Sequence, residues 1–506
     1  MVNSLNGFDM IVCLTQNAVN AQMMTMSRIG KVDPSRAFFP ETIDWKFTNG
    51  EIKATLGNPL VNFMPAHSNY QQMTFILPFA SGKLLTYTVD TSKNPPTVVT
   101  NKTDISGWQV AFTVNLDEMA FGTSAREAAV NSGAITPEAH ESLASKVDHL
   151  FDVKALILDF TKSNFAEFDP DHTKMPGATP GEQTAISNAL TVFFNNLKSP
   201  YIIAVNSGSK NVAATATQVA PTLVPSGVCY TVFGNASAYT PDGPANGIST
   251  LNILTTTDGH AALPAKPNGI FQSPFITDNL NSGQLLISRA SLVENFLLKQ
   301  LGQRLGSAFT TVSSVQSISK TSGPTVKYHK EGTFFDPGTV NTSGTTGISI
   351  TASLSQDKSQ ISLSGIIETE ATFSIDFIWN GTWKTWRSQK FNGMINIMAS
   401  PDNHSLAVEF KAFQFKTAYR PRKDEKNTGA DVDNVLSLGT IDSVINTLLN
   451  QITSNLTAGT ENLLRADQAA VPNLFVPPTG NNYSVTPTNF DSNGDFVVKL
   501  DIETSS

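Results

Sequence analysis

The chain has 506 residues, 40% of them hydrophobic and only 15% charged, with a formal net charge of −8. A length of that order suits two to four domains at roughly 100–200 residues each, and the acidic balance excludes bulk attraction to nucleic acid or to an anionic membrane. Two cysteines, Cys13 and Cys229, exclude a disulfide framework and read as buried free thiols in apolar runs.

The N-terminus lacks a charged region followed by a sustained apolar run, because Asp9 interrupts an already short stretch. The expectation is cytoplasmic synthesis without a signal peptide, with release by lysis or a leaderless route. No window approaches the ~20 consecutive apolar residues of a membrane span.

Phe8 to Met26, with Ile11, Leu14, Val19, Met23 and Met26, reads as a helix. Ile43 to Phe47 alternates, Asn49-Gly50 is a hairpin signal, and Glu51 to Leu56 returns as a strand. Met73 to Val89 reads as a second hairpin through Ser81-Gly82, and Trp108 to Leu116 alternates through Val110, Phe112 and Val114. A helical insert follows at about 124–198. Ser124 and Glu127 form a capping-box pattern, Thr136-Pro137-Glu138 starts a second helix, and Thr179 with Glu182 opens a third. That third helix aligns Ile186, Leu190, Phe194 and Leu197 on one face. Val153 to Phe160 and Tyr201 to Val205 read as strands, and 206–285 as short strands with long loops.

A helix is predicted from Ser288 to Leu305, its apolar face made by Leu292, Val293, Phe296, Leu297 and Leu301. From Thr310 to Arg420 the chain is almost all strand. Its strongest hairpin turns at Asn380-Gly381, which pairs Trp379 with Thr382 and Ile375 with Trp386. A long helix follows at 436–464, with Ile441, Val444, Ile445, Leu448, Leu449 and Ile452 at three- and four-residue steps. The chain closes with a hairpin through Asn493-Gly494. The order gives an α+β, β-rich chain of two helix-plus-sheet units, divided as 1–309 and 310–506.

No residue cluster points to catalysis. The seven histidines are scattered, and none has the spacing of a metal motif. Asp169, Asp171 and Thr173 begin like a calcium loop, but Lys174 stands where the glycine belongs. Asp491 to Asp495 is better explained as a hairpin turn. Arg420, Arg422, Lys423 and Lys426 are balanced by Asp424 and Glu425 and read as a solvated link, with phosphoinositide binding the sharper alternative. Trp379, Trp383 and Trp386 are candidates for a ligand or membrane interface, against the plainer reading of sheet core. An apolar helix stripe is more often ordinary core than a groove. Long strands beside it change that balance, because a helix laid along a curved sheet can shelter an acyl chain, and each buried methylene is worth about 0.8 kcal/mol.

Several motifs in order carry a family resemblance. They are Gly7-Phe-Asp-Met-Ile-Val12 with Ala18-Val-Asn20, then Met73-Thr-Phe-Ile-Leu-Pro78, then Gly283-Gln-Leu-Leu-Ile-Ser-Arg289 leading into Val293-Glu-Asn-Phe-Leu-Leu298. The C-terminal helix followed by Leu474-Phe-Val-Pro477 completes the series. The chain resembles the TULIP-type (tubular lipid-binding) proteins, in particular the clostridial forty-seven-kilodalton and OrfX-type accessory proteins of botulinum neurotoxin gene clusters. The resemblance implies elongated units of highly curved antiparallel sheet wrapped around long helices, binding of a lipid or other apolar ligand, and no cofactor. It also implies a non-enzymatic bacterial role as a toxin accessory or insecticidal factor, with the membrane surface and toxin-complex proteins as partners.

Lipid-groove candidates are Ile441, Val444, Ile445, Leu448, Leu449, Ile452, Leu292, Val293, Phe296 and Leu297. Two rival readings stand. One is a pore-forming toxin, from the alternating Ser/Thr-rich stretch Thr339 to Leu363. The other is a structural subunit of a bacterial protein complex.

Overall fold

The computed structural model describes residues 5–33, 39–47, 49–63, 71–147, 151–160, 163, 167–197, 201–209, 225–234, 248–257, 275–276, 282–293, 309–311, 317–322, 325–329, 339–354, 360–375, 381–399, 406–418, 478–480 and 483–502. Side chains are characterised for most of these, with the exceptions falling mainly between 309 and 418.

In chain order, β1 (Met10–Thr15) leads directly into α1 (Gln16–Val32). Then come β2 (Thr42–Phe47), β3 (Gly50–Leu56), β4 (Leu60–Asn62), β5 (Gln72–Asp90), β6 (Thr97–Asp104) and β7 (Gln109–Ala120). The helices α2 (Thr123–Asn131) and α3 (Pro137–Val147) precede β8 (Phe151–Asp159), and α4 (Pro180–Asn195) precedes β9 (Tyr201–Ser209). β10 (Pro225–Phe233), β11 (Thr250–Thr257) and β12 (Ser282–Ile287) follow, and residues 289–293 are helical. Next are β13 (Phe309–Thr311), β14 (Ser317–Ser322), β15 (Thr325–His329), β16 (Thr339–Leu354), β17 (Ile361–Ile375), β18 (Gly381–Ala399) and β19 (Leu406–Ala418). The hairpin β20 (Tyr483–Phe490) and β21 (Phe496–Ile502) is last.

These strands form three antiparallel sheets. One runs β10-β11-β1-β12-β21-β20. A second runs β2-β3-β5-β7-β8-β9, with β4 and β6 also on β5. The third runs β13-β14-β16-β17-β18-β19, with β15 on β16. The described residues are β-rich with few helices among them, and antiparallel sheet curls into a half-barrel. The first sheet joins strands from before residue 309 to the hairpin β20–β21, so any division of the chain there has one sheet shared across it.

The strand β1 sits at the middle of its sheet, paired with β11 on one side and β12 on the other. All six of its residues are buried. Met10, Val12 and Leu14 pack into the main apolar cluster, and Ile11 and Cys13 into a separate cluster on the opposite face. The helix expected over Phe8 to Met26 is therefore a strand followed by a helix. A strand buried on both faces has no polar alternation to betray it, and its apolar residues merge with the helical spacing of Val19, Met23 and Met26. Thr15 marks the junction, its Oγ1 accepting from Ala18 N at 3.1 Å.

The hairpin β2–β3 forms as expected, but its register sets Gly50 opposite Phe47. The turn is thus one residue earlier than the Asn-Gly signal suggests. A Cβ at Gly50 would run into the Leu85 carbonyl and the Phe47 ring.

No turn occurs at Ser81-Gly82. β5 is one long strand that changes partners: Gln72–Pro78 pair with β7, whereas the segment from Phe79 onward pairs with β3 and β6. Gly82 is there for close approach. A Cβ on it would lie 2.6 Å from Ala54 Cβ and 2.9 Å from the Lys53 carbonyl. Gly82→Ala is expected to lower stability by about 1–3 kcal/mol through that overpacking, read from the urea midpoint. An unchanged or raised midpoint would show that β3 moves aside freely.

Two helix starts follow their sequence signals and one does not. α4 has the full capping box: Thr179 Oγ1 accepts from Glu182 N at 3.3 Å, and Glu182 Oε2 accepts from Thr179 N at 2.7 Å. Ile186, Leu190 and Phe194 are buried along its inner face. α3 starts at Pro137, with Thr136 Oγ1 accepting from Ala139 N at 3.2 Å. α2 instead begins one residue before Ser124, on Gly122 as N-cap, and the Ser124–Glu127 box does not form.

The tryptophan hairpin also differs in register. β17 and β18 pair Ile375 with Gly381, Phe373 with Trp383 and Glu370 with Trp386, and 376–380 lie outside the described residues. Trp386 thus falls in the alternate set of ladder positions from Phe373 and Ile375. A local Asn-Gly signal is overridden because β17 is held along its whole length by β16 on its other side. The same ladder builds Thr339–Leu354 into a sheet interior between β14 and β17.

Candidate functional site

The sequence motifs of the N-terminus and of Ser288 meet in a buried hydrogen-bond network. Asp9 is 0% exposed. Its Oδ2 accepts from Thr257 N at 2.7 Å and from Thr257 Oγ1 at 3.0 Å, and its Oδ1 accepts from the Ser291 hydroxyl. Ser288 N donates to the Asp9 carbonyl at 2.8 Å, and Asp9 N to the Thr255 carbonyl at 2.9 Å. Ser288 caps the helical residues after it, its Oγ accepting from Ser291 N at 3.1 Å. From the closing hairpin, Asp495 Oδ1 accepts from Arg289 N at 3.0 Å. Burial, with the neighbouring Asp491 charge, raises the Asp495 carboxyl above its ordinary range against the pull of Arg289. One carboxylate thus ties β1, β11 and the start of the apolar-faced segment together.

That segment enters the core at once. Leu292 and Val293 are 4% and 3% exposed and belong to the main apolar cluster. The cluster draws on all three sheets, including Val12 and Ile253, Phe75 and Phe112, and Ile361 and Phe391. Phe296, Leu297 and the positions Ile441, Val444, Ile445, Leu448, Leu449 and Ile452 lie outside the described residues, as does Trp379. Trp383 and Trp386 are placed by backbone register alone.

Sequence reasoning missed the aromatic centre of the cluster. Phe75 from β5 and Phe112 from β7 face each other in register, with ring centroids 5.6 Å apart. α4 lowers Phe194 onto them, with Phe193 against Phe194 and Phe39. Phe194 stacks on Phe160 at 4.3 Å and meets Phe112 edge-on at 5.3 Å. Phe39 and Tyr201 close the group. The alternation of β7 and the inner face of α4 each supplied one half of this signal; the strand pairing that joins them was not visible.

The loop that begins like a calcium site is held by protein groups. Asp169 Oδ2 accepts from Thr74 Oγ1 at 3.0 Å and lies 3.0 Å from His172 Nδ1, while its Oδ1 accepts from Asp171 N at 2.9 Å. His172 Nε2 is 2.8 Å from Asn62 Nδ2, so both ring nitrogens are engaged. Among the described residues no group of three or more His, Cys, Asp or Glu is arranged to hold a metal ion.

Burial pushes the Asp169 carboxyl up, but the His172 hydrogen bond and charge, with the Thr74 hydroxyl and the Asp171 N–H, outweigh it and leave it below the ordinary range. A carboxyl depressed in the folded state contributes stability above its unfolded value near about 3.9, and that contribution is lost as the pH falls through the folded value. Asp169→Asn is therefore expected to be about 1–3 kcal/mol less stable than wild type at neutral pH. The gap should narrow below about pH 4. Urea midpoints across the acid range check this, and a gap independent of pH would contradict it.

Both thiols are buried, which disfavours the thiolate at neutral pH. Burial raises Cys13 far above its ordinary value, and burial together with the Glu118 charge raises Cys229 to about 12. No helix among the described residues is long and apolar enough to cross a membrane.

No family model matches the chain. No curated protein matches it either. Among solved structures the chain is similar to one described as the crystal structure of lipopolysaccharide binding protein, with 8% identity over 99% of this chain and 100% of that one, at a TM-score of 0.33. A likeness at that level carries no argument about ligand or function.

Proposed function

We propose that the chain is a non-catalytic protein that holds a lipid or other apolar ligand between curved antiparallel sheet and apolar-faced helix. The observation that supports it is the seating of Leu292 and Val293. They are the first turn of an apolar-faced segment, and they stand inside a cluster to which all three sheets contribute. The sequence continues that face through Phe296, Leu297 and Leu301. A helix leaving such a cluster along a curled sheet gives an acyl chain two apolar walls, each buried methylene adding about 0.8 kcal/mol. The resemblance to TULIP-type accessory proteins extends the proposal to two such units, 1–309 and 310–506. It also extends it to a bacterial toxin-accessory or insecticidal role.

The test is native mass spectrometry and organic extraction of the purified full chain, followed by flotation with liposomes. A co-purifying lipid, or a stoichiometric one acquired from liposomes, is the expected result. Protein that carries no lipid and takes none up would overturn the reading. Dye release from the same liposomes would favour the pore-forming alternative.

A further inference from the structure

α2 begins in an electrostatically unfinished state. Its N-cap is Gly122, which has no side chain to accept from the first turn. The N–H groups of the first turn have no partner within the helix, and Gly122, Thr123 and Ser124 are exposed. One turn in stands Arg126, only 5% exposed. Its Nη2 donates to Thr123 Oγ1 at 3.2 Å, which folds the guanidinium back over the helix start. Its Nε and Nη1 are buried with no hydrogen-bond partner. No ion pair among the described residues involves it.

Two positive features therefore face the same place. A guanidinium keeps its charge at any physiological pH, and an uncompensated buried charge is strongly destabilising. The helix terminus adds roughly half a positive charge of its own. A cation is the wrong side chain for this end of a helix unless an anion lies between them. The neighbouring apolar cluster, with Phe121, Ala129 and Ile135, supplies none.

We propose that the N-terminal turn of α2, together with Arg126, binds a phosphate group. The exposed N–H groups of the first turn receive its oxygens, and Arg126 gives up its single bond to Thr123 to pair with the same anion. The phosphate arrives as a free ion or as the headgroup of a phospholipid. The site stands independently of the apolar groove.

Gly122 offers a direct test. Its φ of −66° and ψ of 175° suit any residue, and a Cβ there would meet nothing within 4 Å. Gly122→Asp should cap the helix and neutralise Arg126 from within the chain. The thermal midpoint of the full chain would be followed with inorganic phosphate against chloride at constant ionic strength. Wild type is expected to show a saturable rise with phosphate alone. Gly122→Asp should start higher and lose that rise, and Arg126→Gln should bind phosphate at least tenfold more weakly. Phosphatidylcholine vesicles with and without phosphatidic acid separate the sources. Binding that needs phosphatidic acid, without a response to inorganic phosphate, assigns the headgroup and still supports the site, provided Gly122→Asp abolishes it. No saturable response to either probe, or an undiminished response in Gly122→Asp, would overturn the proposal.

Discussion

Asp9→Ala is expected to lower the stability of the protein by about 3–5 kcal/mol, which is large for a single substitution. The estimate rests on the donors left behind. Thr257 N, Thr257 Oγ1 and the Ser291 hydroxyl all point at the Asp9 carboxylate in a fully buried position. Each orphaned donor costs about 1–3 kcal/mol, somewhat less where a side chain can turn away. Asp9→Asn should fall between. Its amide keeps one acceptor but brings a donor against the others. The damage should also be directional. The Ser291 hydroxyl loses its acceptor, whereas the Ser288 N–H keeps the Asp9 main-chain carbonyl, so the helical residues that start the groove-candidate segment should loosen first. Urea midpoints give the total, and hydrogen exchange across 282–293 gives its location. A loss under about 1 kcal/mol would show that the network merely decorates the sheet. If the proposed ligand site is right, lipid retained per folded molecule should drop in Asp9→Ala, whereas a destabilising change elsewhere should leave it intact.

What the sequence made legible follows from how local each signal is. The capping box of α4 is complete within four residues, and the structure reproduces it. The hairpin β2–β3, the alternation of β7 and the closing hairpin are local too, and each forms. The failures lie where distant strands decide. β1 looked helical because burial on both faces removed its polar alternation. β5 looked like two strands because Gly82 has the composition of a turn, whereas its actual neighbour is Ala54 across the ladder. The tryptophan hairpin took its register from β16, far from its own turn. Arg126 was passed over for the same reason. On a sequence it is an unremarked helical arginine, and only the fold shows that it is buried with no ion pair among the described residues. Of the groove candidates, Leu292 and Val293 are placed, and both are core.

Phe75→Ala is expected to cost about 3–5 kcal/mol, the range for removing a buried aromatic ring without collapse of its surroundings. Collapse is restricted here. The Phe75 ring has neighbours at 6.0 Å in Phe39, 5.6 Å in Phe112, 5.1 Å in Phe160 and 5.9 Å in Phe194. They come from β7, from the residue just after β8, from α4 and from the segment before β2, so no single backbone shift refills the space. The void should be apolar and dry, and a void of that kind takes up small apolar molecules. Benzene should therefore restore part of the lost thermal midpoint in Phe75→Ala and do nothing for wild type. The same variant separates two placements of the proposed ligand. If lipid lies along the Leu292 segment, Phe75→Ala should lose stability yet keep its lipid. If lipid content rises or its chain length changes, the aromatic centre is itself part of the binding volume. A groove drawn from helix periodicity alone would then have to be redrawn around β5, β7 and α4.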